Sequence, residues 1–259
     1  MNRIRTLLAI ALMAASLTFS LTASAAEVDQ PAEEAAASEW KKSFELYFWL
    51  PRIYINTADD SDYFKLTLST ILRTLNFMTM IDFNAQKDKW SMGADMIYIH
   101  LTDKIKKNNP HPIVDDPAAH VGMRAFISTF GGNYQFFDKG RTELHALAGV
   151  RYLYIRLPVE FDIDGVEKFG VDLGGHNWDG VIGMRGKTTF SDSLYMDYYA
   201  DLGTGQSRNT YQVKLGGGYR FKYFTATVGV RYLRWNFGSS HDLDNLRVIG
   251  PYVGAKWFL

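Results

Sequence analysis

LNFMTMIDFNAQKDKWSMGADMIYIHL, residues 75–101, alternates with a period of two. Leu75, Phe77, Thr79, Ile81, Phe83 and Ala85 share one face, and Asn76, Met78, Met80, Asp82, Asn84 and Gln86 share the other. That period marks a strand with one apolar and one polar face. After Lys87-Asp88-Lys89 the pattern restarts, with Trp90, Met92, Ala94, Met96 and Tyr98 opposite Ser91, Gly93 and Asp95. The stretch is a hairpin, and each arm of about ten to twelve residues is roughly what a tilted strand needs to cross a bilayer.

Working outward, the N-terminus is set apart from this pattern. Arg3 and Arg5 precede an apolar run from Leu7 to Leu21, and Ala23-Ser24-Ala25 offers small residues for cleavage. Residues 1–25 therefore read as a secretory signal peptide. Residues 26–41 are acidic and rich in alanine, and predict a periplasmic leader. The barrel is expected over 42–259. The chain has no cysteine, so no disulfide holds it. Lys+Arg and Asp+Glu balance at 28 each, which argues against a general nucleic-acid binder.

The hairpin unit recurs. A first strand is expected over 43–56, with Phe44, Leu46, Phe48 and Leu50 on one face and Glu45, Tyr47 and Trp49 on the other. At Pro51 the phase slips and Ile53 and Ile55 take over the apolar face, which predicts a bulge. In TLSTILRTL, Leu68, Ile71, Leu72 and Leu75 fall at helical spacing, so a short helix is expected between the first and second strands. Further strands are expected over 121–137, 142–157, 177–190, 194–203, 209–221, 224–237 and 245–259. With the hairpin this makes ten, with short turns alternating with longer loops. The pattern predicts an all-β, transmembrane, antiparallel up-and-down barrel. A closed barrel satisfies every backbone polar group without an edge, as lipid requires. Period alone does not say which face is inside, and a soluble barrel of lipocalin type would turn the apolar faces inward. The aromatic content of 15% and the missing cysteines favour the membrane.

The chain resembles small proteobacterial outer-membrane β-barrel proteins over nearly all of its mature length. The resemblance rests on the hairpin, on TLSTILRTL and on the terminal GPYVGAKWFL. The last is similar to the C-terminal strand by which such barrels are recognised for assembly, so Trp257, Phe258 and Leu259 are implied as an assembly signal and the barrel-assembly machinery as a partner. That signal usually ends in Phe; here Phe258 is penultimate. The resemblance implies residence in the cell outer membrane of a Gram-negative bacterium, among its lipid and lipopolysaccharide, and no particular activity.

Candidate site residues come from the polar faces. Glu45, Asp82, Asp95, Glu143, Asp179, Asp197 and Asp201 are expected in the lumen with Arg151, Arg185, Lys187, Lys214, Arg220, Arg231 and Lys256, and His145 joins them. A charged lining suits a selective, porin-like pore; balanced signs suit a filled, salt-bridged lumen. A wide aqueous channel belongs to barrels of ~16 strands or more, so the filled lumen is expected, with a structural or surface-interaction role and a narrow solute channel as the alternative. Arg185 is expected to pair with Asp197, and Asp179 to lie nearer Arg151 or a loop base.

His100, His111, His120, His176 and His241 form no metal-spaced pair within a strand, and neither metal nor cofactor is expected. His241-Asp242 and Asp115-Asp116 near His120 raise the alternative of an outer-rim hydrolase. The local motifs of outer-membrane proteases and lipid A deacylases are missing, so no enzyme is expected. Asp59-Asp60-Ser61-Asp62 and Asp242-Leu243-Asp244 lack a full calcium-loop pattern. With Lys104-Ile105-Lys106-Lys107 they read as solvated loop charge. Gly216-Gly217-Gly218 is expected inside a strand, where small residues let the wall bend or a bulky lumen side chain approach.

Overall fold

The structure is a computed structural model describing residues 39–57, 63–102, 119–161, 169–238 and 243–259. The expected signal peptide, nearly all of the expected leader, and the loop sequences at Asp59, Lys104, His111, Asp116, Glu167 and His241 lie outside these residues.

In chain order the elements are β1 (Lys41–Trp49), β2 (Arg52–Thr57), β3 (Tyr63–Leu66), α1 (Leu68–Thr74), β4 (Leu75–Lys87), β5 (Trp90–Thr102), β6 (Ala119–Lys139), β7 (Thr142–Phe161), β8 (Phe169–Thr189), β9 (Leu194–Gly205), β10 (Asn209–Arg220), β11 (Thr225–Asn236) and β12 (Leu243–Phe258). From β4 to β12 each strand pairs antiparallel with the next. β1 pairs with both β12 and β4 and closes a ten-strand barrel. The tight connections at Asp88-Lys89, Gly140-Arg141, 190–193 and 221–224 all lie at one rim, the turn end, where Leu259 N also donates to Lys42 O at 2.9 Å. The longer connections lie at the other rim, the loop end. Asp88 and Gly140 take φ values of 53° and 63°, the left-handed conformation these turns need.

β1 and β2 form a single stave. Both pair with β12 in one register: Trp49 faces Tyr252 and Arg52 faces Ile249. The bulge expected at Pro51 is therefore corrected. Proline only removes a ladder donor, and Ile53 and Ile55 continue the inward face of Glu45, Tyr47 and Trp49, all of them buried. The neighbour on the other side of this stave changes instead. Near the turn end β1 pairs with β4, as far as Leu46 opposite Ile81; near the loop end β2 pairs with β3, a strand not expected. At this junction Trp49 N donates to the Met80 thioether sulfur, 3.0 Å away, where a backbone partner would otherwise stand.

α1 bridges β3 to β4. Thr67 caps it by accepting from Thr70 N at 3.3 Å, and Arg73 sits in the last turn, where the helix dipole favours a cation. Ile71 is buried in the core while Leu72 is exposed, so the helix lies in the wall and presents only part of its apolar face inward.

The outer surface is apolar. Leu46, Phe48, Met92, Val150, Ile182, Leu202, Val228 and Val230 all face out and are exposed. Ring contacts gather at both edges of this band. Phe44–Trp257, Trp90–Tyr134 and Phe221–Phe224 lie toward the turn end. Phe77–Tyr98, Phe126–Tyr152 and Tyr211–Tyr232 lie toward the loop end. A soluble barrel would hide this surface; here it is the lipid face.

Candidate functional site: the barrel lumen

Inward positions follow directly from the alternation that makes the outer band. All fifteen candidate lumen residues lie on inward faces of their strands. Their surroundings differ with height.

Toward the turn end, a cavity of about 200 Å³ is lined by Glu45, Asp82, Asn84, Asp95, His145, Arg185, Asp197, Lys214 and Lys256, among others. Lys256 Nζ lies 3.1 Å from Glu45 Oε2, and Thr227 Oγ1 donates to Glu45 Oε1 at 2.6 Å. Lys187 Nζ lies 3.1 Å from Glu143 Oε1, with both side chains about one-third exposed. Arg220 donates to Asp192 O at 3.2 Å. Lys214 sits 4.7 Å from the Tyr252 ring centroid and 5.5 Å from that of Tyr47, and the carboxylates of Glu45, Asp82, Asp95 and Asp197 also act on its charge. The glycines expected to admit bulky side chains do so. A Cβ at Gly216 would fall 2.0 Å from Tyr252 Oη, and one at Gly218 would fall 2.2 Å from the Tyr195 ring.

At mid-height two fully buried arginines build similar constellations. Arg231 Nη2 lies 2.6 Å from Asp95 Oδ2, Nη1 donates to Tyr47 Oη at 2.9 Å, and Nη2 donates to Gln212 Oε1 at 2.7 Å. Tyr47 also donates to Asp95. Arg151 pairs with Asp201, donates to Thr129 Oγ1 at 3.2 Å and to Thr210 Oγ1 at 3.1 Å. Tyr199 donates to Asp201 as well. Each guanidinium lies against a buried indole: Arg231 is 5.0 Å from the Trp49 ring centroid, and Arg151 is 5.9 Å from that of Trp235.

The expected partner of Arg185 is corrected. Arg185 stands opposite His145 and Tyr199 in register, while Lys187 stands opposite Asp197. Asp201 of β9 is taken by Arg151 instead. Asp179 is in register with Arg151, yet its carboxylate accepts from Ser207 N at 2.9 Å, Ser207 Oγ at 2.8 Å and Asn177 Nδ2 at 2.6 Å, and so pins the β9–β10 connection. His145, expected as a hydrogen-bonded lumen residue, is buried with Nδ1 unpartnered.

Toward the loop end the lumen changes character. Trp49, Ile53, Ile71, Met80, Ile97, Ile99, Ile127, Leu153, Leu233, Trp235 and Val248 form one buried apolar cluster. These residues come from β1, β2, α1, β4–β7, β11 and β12. Trp49, Trp235 and Leu233 are 0% exposed. In the sequence Trp49 and Met80 stood on the polar faces of their strands, Ile53 was placed on the apolar face, Ile71 on a helix with no side assigned, and the rest of this cluster on neither face. The signal was present in MIYIHL (96–101) and RYLYIR (151–156), where apolar and aromatic residues stand on both faces, and in RYLRWNF (231–237), where the alternation inverts and Leu233, Trp235 and Phe237 turn inward.

At the C-terminus Trp257 faces outward between the rings of Phe44 and Phe224, and Phe258 lines the turn-end mouth. Among the described residues no group of three or more His, Asp or Glu has metal-site geometry.

A closed antiparallel barrel with a lipid-facing apolar band, two aromatic edges and short turns at one rim is an outer-membrane β-barrel, and the outer membrane is where this chain resides. No protein family's sequence profile matches the chain, and no curated protein does. Solved structures do resemble it. The translocator domain of the autotransporter NalP from Neisseria meningitidis matches at 10% identity, over 86% of this chain and 90% of that one, with a TM-score of 0.44. The transport unit of the autotransporter AIDA-I from Escherichia coli matches at 13% identity, over 88% and 92%, with a TM-score of 0.40. The attachment invasion locus protein Ail of Yersinia pestis matches at 7% identity, over 86% and 99%, with a TM-score of 0.37.

Proposed function

We propose that the protein is a closed, non-conducting outer-membrane barrel with a structural or surface-interaction role and no catalytic activity. The observation that carries this is the apolar cluster around Trp49 and Trp235, with both indoles wholly buried. The polar cavity reaches it from the turn end and stops at the Arg231 and Arg151 constellations. A narrow solute channel would need a polar path past this layer. Paired charges below it brace the wall and favour a single register, because an unmatched charge there is costly.

The rule that outer-membrane barrels keep short turns in the periplasm puts the turn end inside and the loop end outside. In that orientation the cavity faces the periplasm, and Trp257, Phe258 and Leu259 stand where the barrel-assembly machinery would read them. The test is conductance of the purified protein in a planar bilayer. The expected result is no steady current; a steady open-pore current at low voltage overturns the proposal in favour of the narrow channel.

A further inference from the structure

At the loop end, several strands share one outward sequence feature. The lipid-facing run ends and the next outward residue is basic: Tyr98 is followed by His100 on β5, Phe126 by Arg124 on β6, Tyr232 by Arg234 on β11, and Ile249 by Arg247 on β12. Two of these bases face another arginine directly across the ladder, Arg124 opposite Arg156 and Arg234 opposite Arg247. Like charges directly opposite on one face destabilise a sheet, so the Arg234–Arg247 pair calls for an anion from outside the chain. Among the described residues no carboxylate comes within ion-pair reach of Arg124, Arg234 or Arg247.

The pair on β11 and β12 is the better defined. Arg234 Nη2 donates to Asn245 Oδ1 at 3.1 Å, and the Arg247 guanidinium stacks 4.4 Å from the Tyr54 ring centroid. The Tyr211 and Tyr232 hydroxyls, 3.4 Å apart, lie alongside, with Tyr211 opposite Arg234 in register. These neutral contacts orient both guanidinium planes without offsetting their charge. The site lies at the edge of the apolar band, the depth at which headgroups meet the hydrocarbon.

We propose that Arg234 and Arg247, with Tyr54 and Asn245, form a binding site for a phosphate group of an outer-leaflet glycolipid. Guanidinium forks match phosphate oxygens with charge-assisted hydrogen bonds. The site's lipid-facing aspect selects a phosphate carried on an acyl anchor over one free in solution. The proposal rests on the outer-membrane placement and on the orientation given above, and it is independent of whether the lumen conducts.

The test is native mass spectrometry of the folded protein in detergent, titrated with diphosphorylated lipid A, with lipid A lacking both phosphates, and with inorganic phosphate. The wild type is expected to retain the diphosphorylated lipid. Arg234→Gln/Arg247→Gln should bind it about tenfold or more weakly, the loss expected of one or two charge-assisted contacts. Lys222→Gln in a turn-end loop should bind as the wild type does. Heat-modifiable gel mobility reports whether each variant is folded; if the double variant is not, the two single variants should each show a partial loss. Equal retention by folded variants overturns the proposal, as does equal retention of the dephosphorylated lipid. Displacement of the lipid by inorganic phosphate at matched concentration also overturns it, by making the site one for free anions.

Discussion

Arg231 Nη2 on β11 lies 2.6 Å from Asp95 Oδ2 on β5, joining two strands that are not neighbours in the wall. Tyr47 and Gln212 complete the arginine's hydrogen bonds. Taking away the cation leaves Asp95 and the Tyr47 hydroxyl without it in a nearly dry layer. Arg231→Ala is expected to lower stability by about 3–5 kcal/mol, read as a lower urea midpoint for the heat-modifiable folded form. Replacing both charges, Arg231→Met with Asp95→Leu, should recover most of that loss, because a hydrophobic pair of similar volume tolerates burial. A double variant as unstable as the single one would refute the cross-bracing argument.

The Lys187–Glu143 pair near the mouth behaves differently. Its nitrogen and oxygen are 3.1 Å apart, but the side chains are 37% and 31% exposed. Water and salt screen such a pair, so Lys187→Ala should cost less than about 1 kcal/mol, and the cost should shrink further in high salt. Equal costs for Lys187→Ala and Arg231→Ala would mean that the two layers are equally wet.

Two glycines on β7 and β6 separate a packing requirement from mere tolerance. A Cβ at inward Gly149 would sit 2.1 Å from Phe130 O, a backbone atom that cannot swing away, while one at outward Gly132 would meet nothing within 4 Å. Gly149→Ala is expected to shift the wall and cost about 1–3 kcal/mol, as overpacking does. Gly132→Ala should be neutral or slightly stabilising, through the entropy of the unfolded chain. The ratio of folded to unfolded bands after refolding distinguishes them.

The orientation is tested on intact cells. An epitope inserted at Gly140, in a two-residue turn, should stay unlabelled until the outer membrane is opened, and one at Asp116 should be labelled directly. Labelling at Gly140 on intact cells would reverse the assignment and move the phosphate site to the inner leaflet.

The outer faces of the strands were legible because lipid favours apolar side chains across the middle of the band. Phe77, Ile81, Phe83, Met92 and Met96 could hardly be assigned otherwise. The inner face was legible chiefly where it is charged or polar, as at Asp82, Asn84, Asp95 and Glu143. Where it turns apolar the period misleads: at Ile97 and Leu153 the outward neighbours are aromatic or apolar too, and at Trp235 the outward neighbours Arg234 and Asn236 are the polar ones, so the alternation is inverted. Pairing was harder still. Alternation gives a residue's face but not its height. The turn at 190–193 sets Lys187 opposite Asp197 and Arg185 opposite Tyr199, and a shift of two residues was enough to redirect the expected ion pair. The hairpin β2–β3 was hidden because its two arms are short, and because the helical spacing just after it draws the eye to α1.

Trp49 and Trp235 are the two largest side chains of the apolar seal, and each rests on a buried arginine. Below them lies a polar cavity of about 200 Å³ that opens toward the turn end. Removing one indole should cost about 3–5 kcal/mol, through lost burial and the void left behind. An enclosed apolar void stays dry, but this one would border charged groups that already hold water on their other side. With both indoles gone, water could pass Arg151 and Arg231 and enter the upper lumen. Trp49→Ala/Trp235→Ala, recovered in its folded, heat-modifiable form, is therefore expected to leak small ions in a planar bilayer where the wild type is silent. Val228→Ala on the lipid face should leave the bilayer sealed. A folded double variant that stays silent would show that the remaining layer of Ile97, Leu153 and Leu233 closes the bore by itself, and that the two indoles serve stability alone.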